Sequence, residues 1–188
     1  MADSYHHGNL KEELIKVGIE MINRDGVEGL SLRRAAEKCG VSHGAPYSHF
    51  KNKTEYLKAI NSFVEDAFSS ALLSAEGELT GMAQAYVRFF IENPAYYSFY
   101  MTYAGYSIDI KENSIESENS RPFEIFRSAA EKYLRQINVP ENLIAVNIIK
   151  MWATVQGITM LAVMPGVTCD MAWEDYTDML LNGKGGKR

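Results

Sequence analysis

Apolar residues recur at helical spacing through most of this 188-residue chain. Near the N-terminus, Leu10, Leu14, Val17, Met21 and Ile22 fall on one face of a helix with 3.6 residues per turn. A longer stripe follows Asn52 and continues to Leu72 without a break. We find no strand candidate of weight and no internal repeat. The sequence therefore predicts an all-α fold.

Capping and breaking residues divide this pattern into helices. Asn9 and Asp25-Gly26 bound the first helix, Ser31 can cap a second that Gly40 ends, and Ser42 can cap a third that reaches about His49. Asn52 with Glu55 opens the long fourth helix, and Asn93-Pro94 separates a fifth from a sixth. Later helices are predicted near 122–136, 140–164 and 169–181, and residues 109–121 are predicted to form a mobile loop.

Charge is distributed unevenly. The net charge of −5 divides into nine basic and eight acidic residues over 1–60, against ten and sixteen over 61–188. Within residues 31–53, five Lys and Arg residues stand against the single acid Glu37. This distribution predicts that a polyanion meets the N-terminal part of the chain.

Several classes of protein are disfavoured by composition. Cys39 and Cys169 have no CxxC or Cys/His spacing around them, so no metal site or disulfide framework is expected. Residues 61–188 contain no histidine, which argues against nucleophilic and metal catalysis there, so we expect neither an enzyme nor a cofactor. The longest apolar run, Ile158 to Met164, is too short to span a membrane, and we expect a cytoplasmic location.

The segment "GVSHGAPYSHFKNK" (residues 40–53) supplies the turn and second helix of a helix-turn-helix over about residues 32–51. Gly44 has no side chain and Ala45 has only a methyl group, so the protein backbone can approach DNA closely at these positions. Polar side chains surround them, and lysines follow at the start of the fourth helix, where they can bind phosphate. Val41 and Phe50 are expected in the core, and Arg33 and Arg34 either contact DNA or form a solvated helix face. The candidate DNA-binding residues are Ser31, Arg33, Arg34, Ser42, His43, Gly44, Ala45, Tyr47, His49, Lys51 and Lys53.

The stretch "GLSLRRAAEKCGVSHGAPYSHFKNKTEYLKAI" resembles the DNA-binding domain of the TetR family of bacterial one-component transcriptional regulators. The "GVS" turn and the "Y-x-HF-x-x-K" signature carry the resemblance. The later "ENPAYYSFYM" is similar to a recurrent feature of the family, whereas "WATVQG" has Gln156 where one branch of the family has histidine. The resemblance implies about nine helices, a DNA-binding domain at 9–68 and a ligand-binding and dimerisation domain at 69–183. It also implies a homodimer that represses transcription from a palindromic operator until a small molecule releases it.

The C-terminal part of the sequence predicts two further sites. The nearly all-apolar helix 140–164 and the striped helix 169–181 predict a dimer interface at Met151, Val155, Ile158, Met160, Trp173 and Tyr176. Nine aromatic residues between Tyr86 and Tyr106 predict a pocket for a hydrophobic or aromatic effector, although a core could use the same rings. The candidate pocket residues are Tyr86, Phe90, Tyr97, Tyr100, Met101, Tyr103, Phe123, Phe126, Trp152 and Gln156.

Other readings remain open at this level. The chain could be a helical protein-interaction module or an enzyme that does not bind DNA. The operator sequence, the effector, the regulated genes and the choice between repression and activation are not determined by the residues. Salt-dependent DNA binding separates a regulator from both alternatives.

Overall fold

The computed structural model describes residues 10–75, 79–111 and 113–182, and it is helical over most of them. The α-helices of this described part are α1 (Leu10–Asp25), α2 (Leu32–Lys38), α3 (Lys53–Leu73), α4 (Leu79–Glu92), α5 (Pro94–Tyr103), α6 (Arg121–Gln136), α7 (Glu141–Val163) and α8 (Trp173–Asn182). Two 3₁₀ turns, Val27–Gly29 and Ala45–Ser48, and a hairpin of β1 (Ser107–Ile110) and β2 (Ile115–Glu118) complete it. The all-α prediction is confirmed, with eight α-helices in the described residues instead of about nine.

Among the described residues, the first compact unit comprises residues 10–64 together with Ala95–Ala104. Its core is apolar and includes Leu14, Ile19, Phe50, Tyr56 and Ile60, each at most 2% exposed. The helix α1 packs on α2, and α2 packs on the 3₁₀ turn at Ala45–Ser48. Because the short helices bury few residues of their own, these shared contacts hold them in place.

The helix α5 belongs to this first unit. The side-chain amide of Asn23 donates to the carbonyl of Ala95 at 2.8 Å, and the rings of Phe63 and Tyr96 lie 6.1 Å apart. The aromatic residues between Tyr86 and Tyr106 are predicted from the sequence to form one segment of a sensing domain. The structure divides this segment at Pro94, so Tyr97, Tyr100, Met101 and Tyr103 lie in the first unit.

The second unit comprises the described residues of 65–94 and 105–182. Its centre is α4, which packs against α6, α7 and α8. Phe68 lies among aromatic rings, with centroids 4.7 to 5.1 Å from those of Tyr86, Phe89 and Phe90. The guanidinium of Arg88 on α4 binds the Glu174 carboxylate on α8 at 3.0 Å. Ring packing and this surface ion pair therefore both join elements of the second unit.

Three local predictions were wrong. The third helix is a 3₁₀ turn that begins after Gly44, and Ser42 does not cap it; Pro46 lacks the amide N–H that an α-helix needs. The predicted loop at 109–121 contains β2 and the end of β1, which form an antiparallel pair with Ser107 opposite Glu118. The last helix begins at Trp173 instead of near 169.

Candidate nucleic-acid interface

The helix α2 is fixed at both ends by local hydrogen bonds. The Ser31 hydroxyl accepts from the Arg34 backbone N–H at 3.4 Å, which confirms the predicted cap. At the other end, Gly40 has φ 68°, and the Val41 N–H donates to the Ala36 carbonyl at 3.0 Å. A positive φ is inexpensive for glycine, so the chain can turn sharply after Lys38.

The segment after this turn has buried and exposed faces. Pro46 is buried, whereas Tyr47 is 55% exposed. The Ala45 N–H donates to the Ser42 carbonyl, and the His49 N–H donates to the Pro46 carbonyl, both at 3.0 Å. An added Cβ at Gly44 would meet nothing within 4 Å. The outward surface at Gly44 is therefore low and open, as backbone approach to a ligand requires.

Phe50 and Tyr56 anchor the segment to the core. Phe50 is 2% exposed, as predicted, whereas Val41 is only half-buried. The ring centroid of Phe50 lies 4.8 Å from that of Tyr56. The Tyr56 hydroxyl donates to the Leu14 carbonyl in α1, and burial raises the pKa of this phenol above its ordinary value. The polar segment before α3 is therefore held in place by buried aromatic side chains.

Most candidate DNA-binding side chains lie at the surface. Ser31, Ala45 and Lys53 are half-buried. The exposed candidates are Arg33, Arg34, Ser42, His43, Gly44, Tyr47, His49 and Lys51.

Acidic residues pair with the basic ones. Glu37 lies 3.6 Å from Arg33 and 3.1 Å from the Nε2 atom of His43, and Lys51 lies 3.8 Å from Glu55. Surface pairs of this kind contribute about 0–1 kcal/mol each. A phosphate group could therefore replace such an acid at small cost.

Arg34 makes a more extensive set of contacts than the other bases. Its guanidinium binds the Asp25 carboxylate at 2.9 Å and the Gly29 carbonyl at 3.3 Å, and Arg24 also binds Asp25, at 2.8 Å. Hydrogen bonds from Arg24 and Arg34 hold the pKa of Asp25 well below its ordinary value. Arg34 therefore braces α2 against the end of α1.

The N-terminus of α3 supplies a second polar surface. The side chain of Asn52 accepts from the Glu55 N–H at 2.9 Å, and the Glu55 carboxylate accepts from the Lys51 N–H at 2.9 Å, which confirms the predicted capping pair. Lys53 donates to the Glu28 carbonyl at 3.1 Å. Thr54, which no sequence motif singles out, is exposed in the first turn of this helix.

The candidate pocket residues are divided between the two units, and the candidate interface residues differ in exposure. Tyr86, Phe90, Phe123, Phe126, Trp152 and Gln156 lie in the second unit and the remaining four pocket candidates in the first. The ring centroids of Phe123 and Trp152 are 5.0 Å apart. Among the interface candidates, Val155 and Ile158 are buried within the chain at 4% and 3% exposure, whereas Met160 is 49% exposed. The candidate interface residues Met151, Trp173 and Tyr176 are half-buried.

A helix-turn-helix with an exposed polar face and flanking bases defines a class, that of DNA-binding transcriptional regulators. Residues 14–60 match the family described as bacterial regulatory proteins, tetR family. Residues 79–181, more than half of the chain, match the tetracyclin repressor-like C-terminal domain. The chain belongs to the TetR family, whose members are transcriptional regulators and not enzymes.

Relatives agree with this assignment. The chain is 46% identical over 50 residues to the tetracycline repressor protein class C of Escherichia coli, a match covering 27% of this chain and 23% of that repressor. The chain thus spans about a quarter of the length of the curated relatives it matches first. The TetR-family regulator PfmR of Thermus thermophilus has a similar structure, with a TM-score of 0.60 and 20% identity over 95% of this chain and 99% of that one. A TetR-like regulator from Rhodococcus sp. RHA1 gives a TM-score of 0.63 and 15% identity over 93% and 97% of the two chains. At these identities the structural matches show the fold alone.

Proposed function

We propose that this regulator is a ligand-responsive repressor that binds a palindromic operator as a homodimer in the cytoplasm. We assign DNA binding to residues 9–68 and ligand binding and dimerisation to residues 69–183; residues 9, 76–78, 112 and 183 lie outside the described part. The observation that carries the proposal is the exposed, basic helix-turn-helix of the first unit. Family members are cytoplasmic DNA-binding proteins, which supports the proposed location.

The proposed DNA contacts fall into two groups. Tyr47, His43 and His49 lie on or beside the 3₁₀ turn, and we assign them to base edges in the major groove. Arg33, Lys51 and Lys53 are assigned to phosphates, because a long cationic side chain at a helix end can bind phosphate without reading sequence. Ser31, Arg34, Ser42, Gly44 and Ala45 complete the proposed surface, with Arg34 also bracing α2.

The proposed homodimer uses the apolar surface of α7. The most apolar window of this 23-residue helix has a mean hydropathy of 1.3, and only 28% of that window is buried inside the chain. An added Cβ at Gly157 would meet nothing within 4 Å, so a helix of a partner subunit has room to approach. The exposed apolar residues that support this interface are Leu143, Val146, Met160, Leu161 and Met164. Val155 and Ile158 are assigned to the core of the chain itself, and Trp173 and Tyr176 of α8 to the edge of the interface.

The proposed effector is a hydrophobic or aromatic small molecule. The packed rings of Phe123, Phe126 and Trp152 in the second unit support an apolar binding region there. Because α3 is a single helix that begins at Lys53, a ligand that displaces its C-terminal half would also move the N-terminus that we assign to phosphate. Ligand and operator binding would then oppose each other, typically by about 1–3 kcal/mol.

Substitution separates the two groups of DNA contacts. Lys53→Ala should weaken binding to operator and random DNA by a similar factor and reduce the slope of affinity against salt, because one phosphate contact is lost. Tyr47→Ala should weaken operator binding more than random binding, by about 1–3 kcal/mol, because a base contact is lost. Fluorescence anisotropy with labelled duplexes from the region upstream of the gene measures both. Equal losses on both kinds of DNA for the two variants would contradict the division.

A further inference from the structure

The second unit contains a cavity of about 410 Å³ between α4, α6, α7 and α8. Its walls are mainly apolar and include Ala83, Phe126, Ala129, Met151 and Val155. Ligand pockets in proteins commonly have volumes of about 300–1,000 Å³, so a small organic molecule fits. The cavity includes one residue of the predicted aromatic pocket, Phe126, and is otherwise a different site.

A single lysine, Lys132 of α6, lies at the edge of this cavity. Neighbouring cations on the same helix are already paired: Arg127 binds Glu124 and Glu131, and Arg135 binds Glu131 at 3.3 Å and Glu141 at 2.9 Å.

Lys132 makes no ion pair with any residue in the described part of the chain, and its side chain is exposed. The acids of α6 are thus engaged by the two arginines. The ammonium group of Lys132 remains available at the rim, and Gln136, one turn later, adds an amide that can donate.

We propose that this cavity binds a small molecule with an apolar body and one carboxylate, the body lying against Phe126 and Met151 and the carboxylate at Lys132. The apolar walls would bind the apolar part of the ligand equally well whatever polar group it carries. A cation at the rim distinguishes an acid from an alcohol or an amine of the same length, because charge-assisted hydrogen bonds are stronger than neutral ones. Only the expected consequence of ligand binding, which is release of the operator, rests on the proposed function.

Calorimetric titration of the full-length protein with octanoate, octan-1-ol and octylamine tests the charge preference. Octanoate should bind about two- to fivefold more tightly than either the neutral or the cationic analogue, the range expected for an ion pair with an exposed lysine. Lys132→Gln should abolish this preference while leaving octan-1-ol binding unchanged. Lys58→Gln, an exposed lysine on α3, is the matched control and should behave as the wild type.

Filling the cavity tests its location. Ala129 is half-buried in the wall, and Ala129→Phe should weaken octanoate and octan-1-ol together. Because Lys132 is exposed, Lys132→Gln should keep the wild-type melting temperature and provides a test even if Ala129→Phe unfolds. The proposal is overturned if the wild type does not bind octanoate, if octanoate and octan-1-ol bind equally, or if Lys132→Gln leaves the preference intact. It is also overturned if Ala129→Phe changes the oligomeric state and not ligand binding, since a second copy of the chain would then cover the cavity.

An operator-binding assay with and without octanoate separates this inference from the proposed function. Octanoate should lower operator affinity in the wild type and not in Lys132→Gln. Lys132-dependent octanoate binding that leaves operator affinity unchanged would contradict the effector role. A protein that binds octanoate as predicted but binds no DNA at all would contradict the repressor function and support the cavity.

Discussion

Two glycines of the first unit have opposite surroundings. At Gly18 in α1, an added Cβ would lie 2.5 Å from the Cδ1 atom of Ile60 and 2.7 Å from the Tyr56 hydroxyl oxygen. At Gly44, the same addition would meet nothing, and its φ of −81° suits any L-residue. The first glycine is needed for packing of α1 against α3, whereas the second leaves the outer surface open.

A pair of alanine substitutions tests this contrast. Gly18→Ala should lower the free energy of unfolding by about 1–3 kcal/mol, because the methyl group overpacks a closed contact. Gly44→Ala should leave the melting temperature unchanged or slightly raised and weaken operator binding, because the new methyl group stands where we place the DNA backbone. Thermal melts and anisotropy titrations of both variants provide the measurements. A stable Gly18→Ala protein, or a Gly44→Ala protein with wild-type operator affinity, would refute the respective assignment.

Several elements could be predicted from local sequence alone. The helices α1, α3, α4 and α6 follow apolar periodicity, α7 is apolar on nearly all sides, and side-chain caps mark the starts of α2 and α3. Ser31 and Asn52 accept hydrogen bonds from backbone N–H groups at the places predicted. Such contacts join residues three positions apart, so the sequence records them directly.

Other elements depend on information that is not local. Each strand of the hairpin has only four residues, most of them exposed. Ile108 and Ile110 alternate with polar residues in β1, but β2 contains one apolar residue, so the pattern is too short to distinguish a hairpin from a loop. The packing of α5 in the first unit rests on Asn23 and Ala95, which are 72 positions apart. The candidate DNA-binding residues could be listed from the sequence, and the pairs of Arg33 with Glu37 and Lys51 with Glu55 are local. The pair of Arg34 with Asp25 could not be predicted, because these residues are nine positions apart.

The contact of Arg34 with Asp25 joins α2 to the end of α1 and should depend on pH. Since the pKa of Asp25 is lowered from 3.8 in the folded state, the ionised carboxylate stabilises the fold above that ordinary value, and this stabilisation is lost as the pH falls below it. Asp25→Asn should therefore be less stable than the wild type at neutral pH, and the difference should diminish as the pH falls from about 4 towards 2. Urea midpoints across this range provide the measurement.

A second carboxylate supplies the control. Glu118→Gln removes an exposed acid of β2 that has no ion pair among the residues described, and its stability should differ little from that of the wild type at any pH. If Asp25→Asn gives the same dependence of stability on pH as Glu118→Gln, the ion pair of Arg34 with Asp25 does not stabilise the fold.

At the scale of the whole molecule, we propose that a second subunit covers α7. Met160 is 49% exposed in the single chain, so Met160→Glu should leave the folded subunit intact. In a dimer the same carboxylate would be buried without a partner, which costs several kcal/mol. We expect the variant to sediment as a monomer with a near wild-type far-ultraviolet circular dichroism spectrum. Lys58→Glu, an exposed charge change on α3, should remain dimeric, and a Met160→Glu dimer of unchanged affinity would place the interface elsewhere.

The central claim is that the basic helix-turn-helix binds operator DNA, and a salt titration tests it most directly. Affinity for a palindromic duplex from the region upstream of the gene is measured by anisotropy over a range of salt concentrations, with the stoichiometry determined at low salt. We predict two chains per palindrome and a linear fall of the logarithm of affinity with the logarithm of salt concentration, because phosphate contacts release counterions. Affinity that does not change with salt, or no binding to any upstream fragment, would contradict the account.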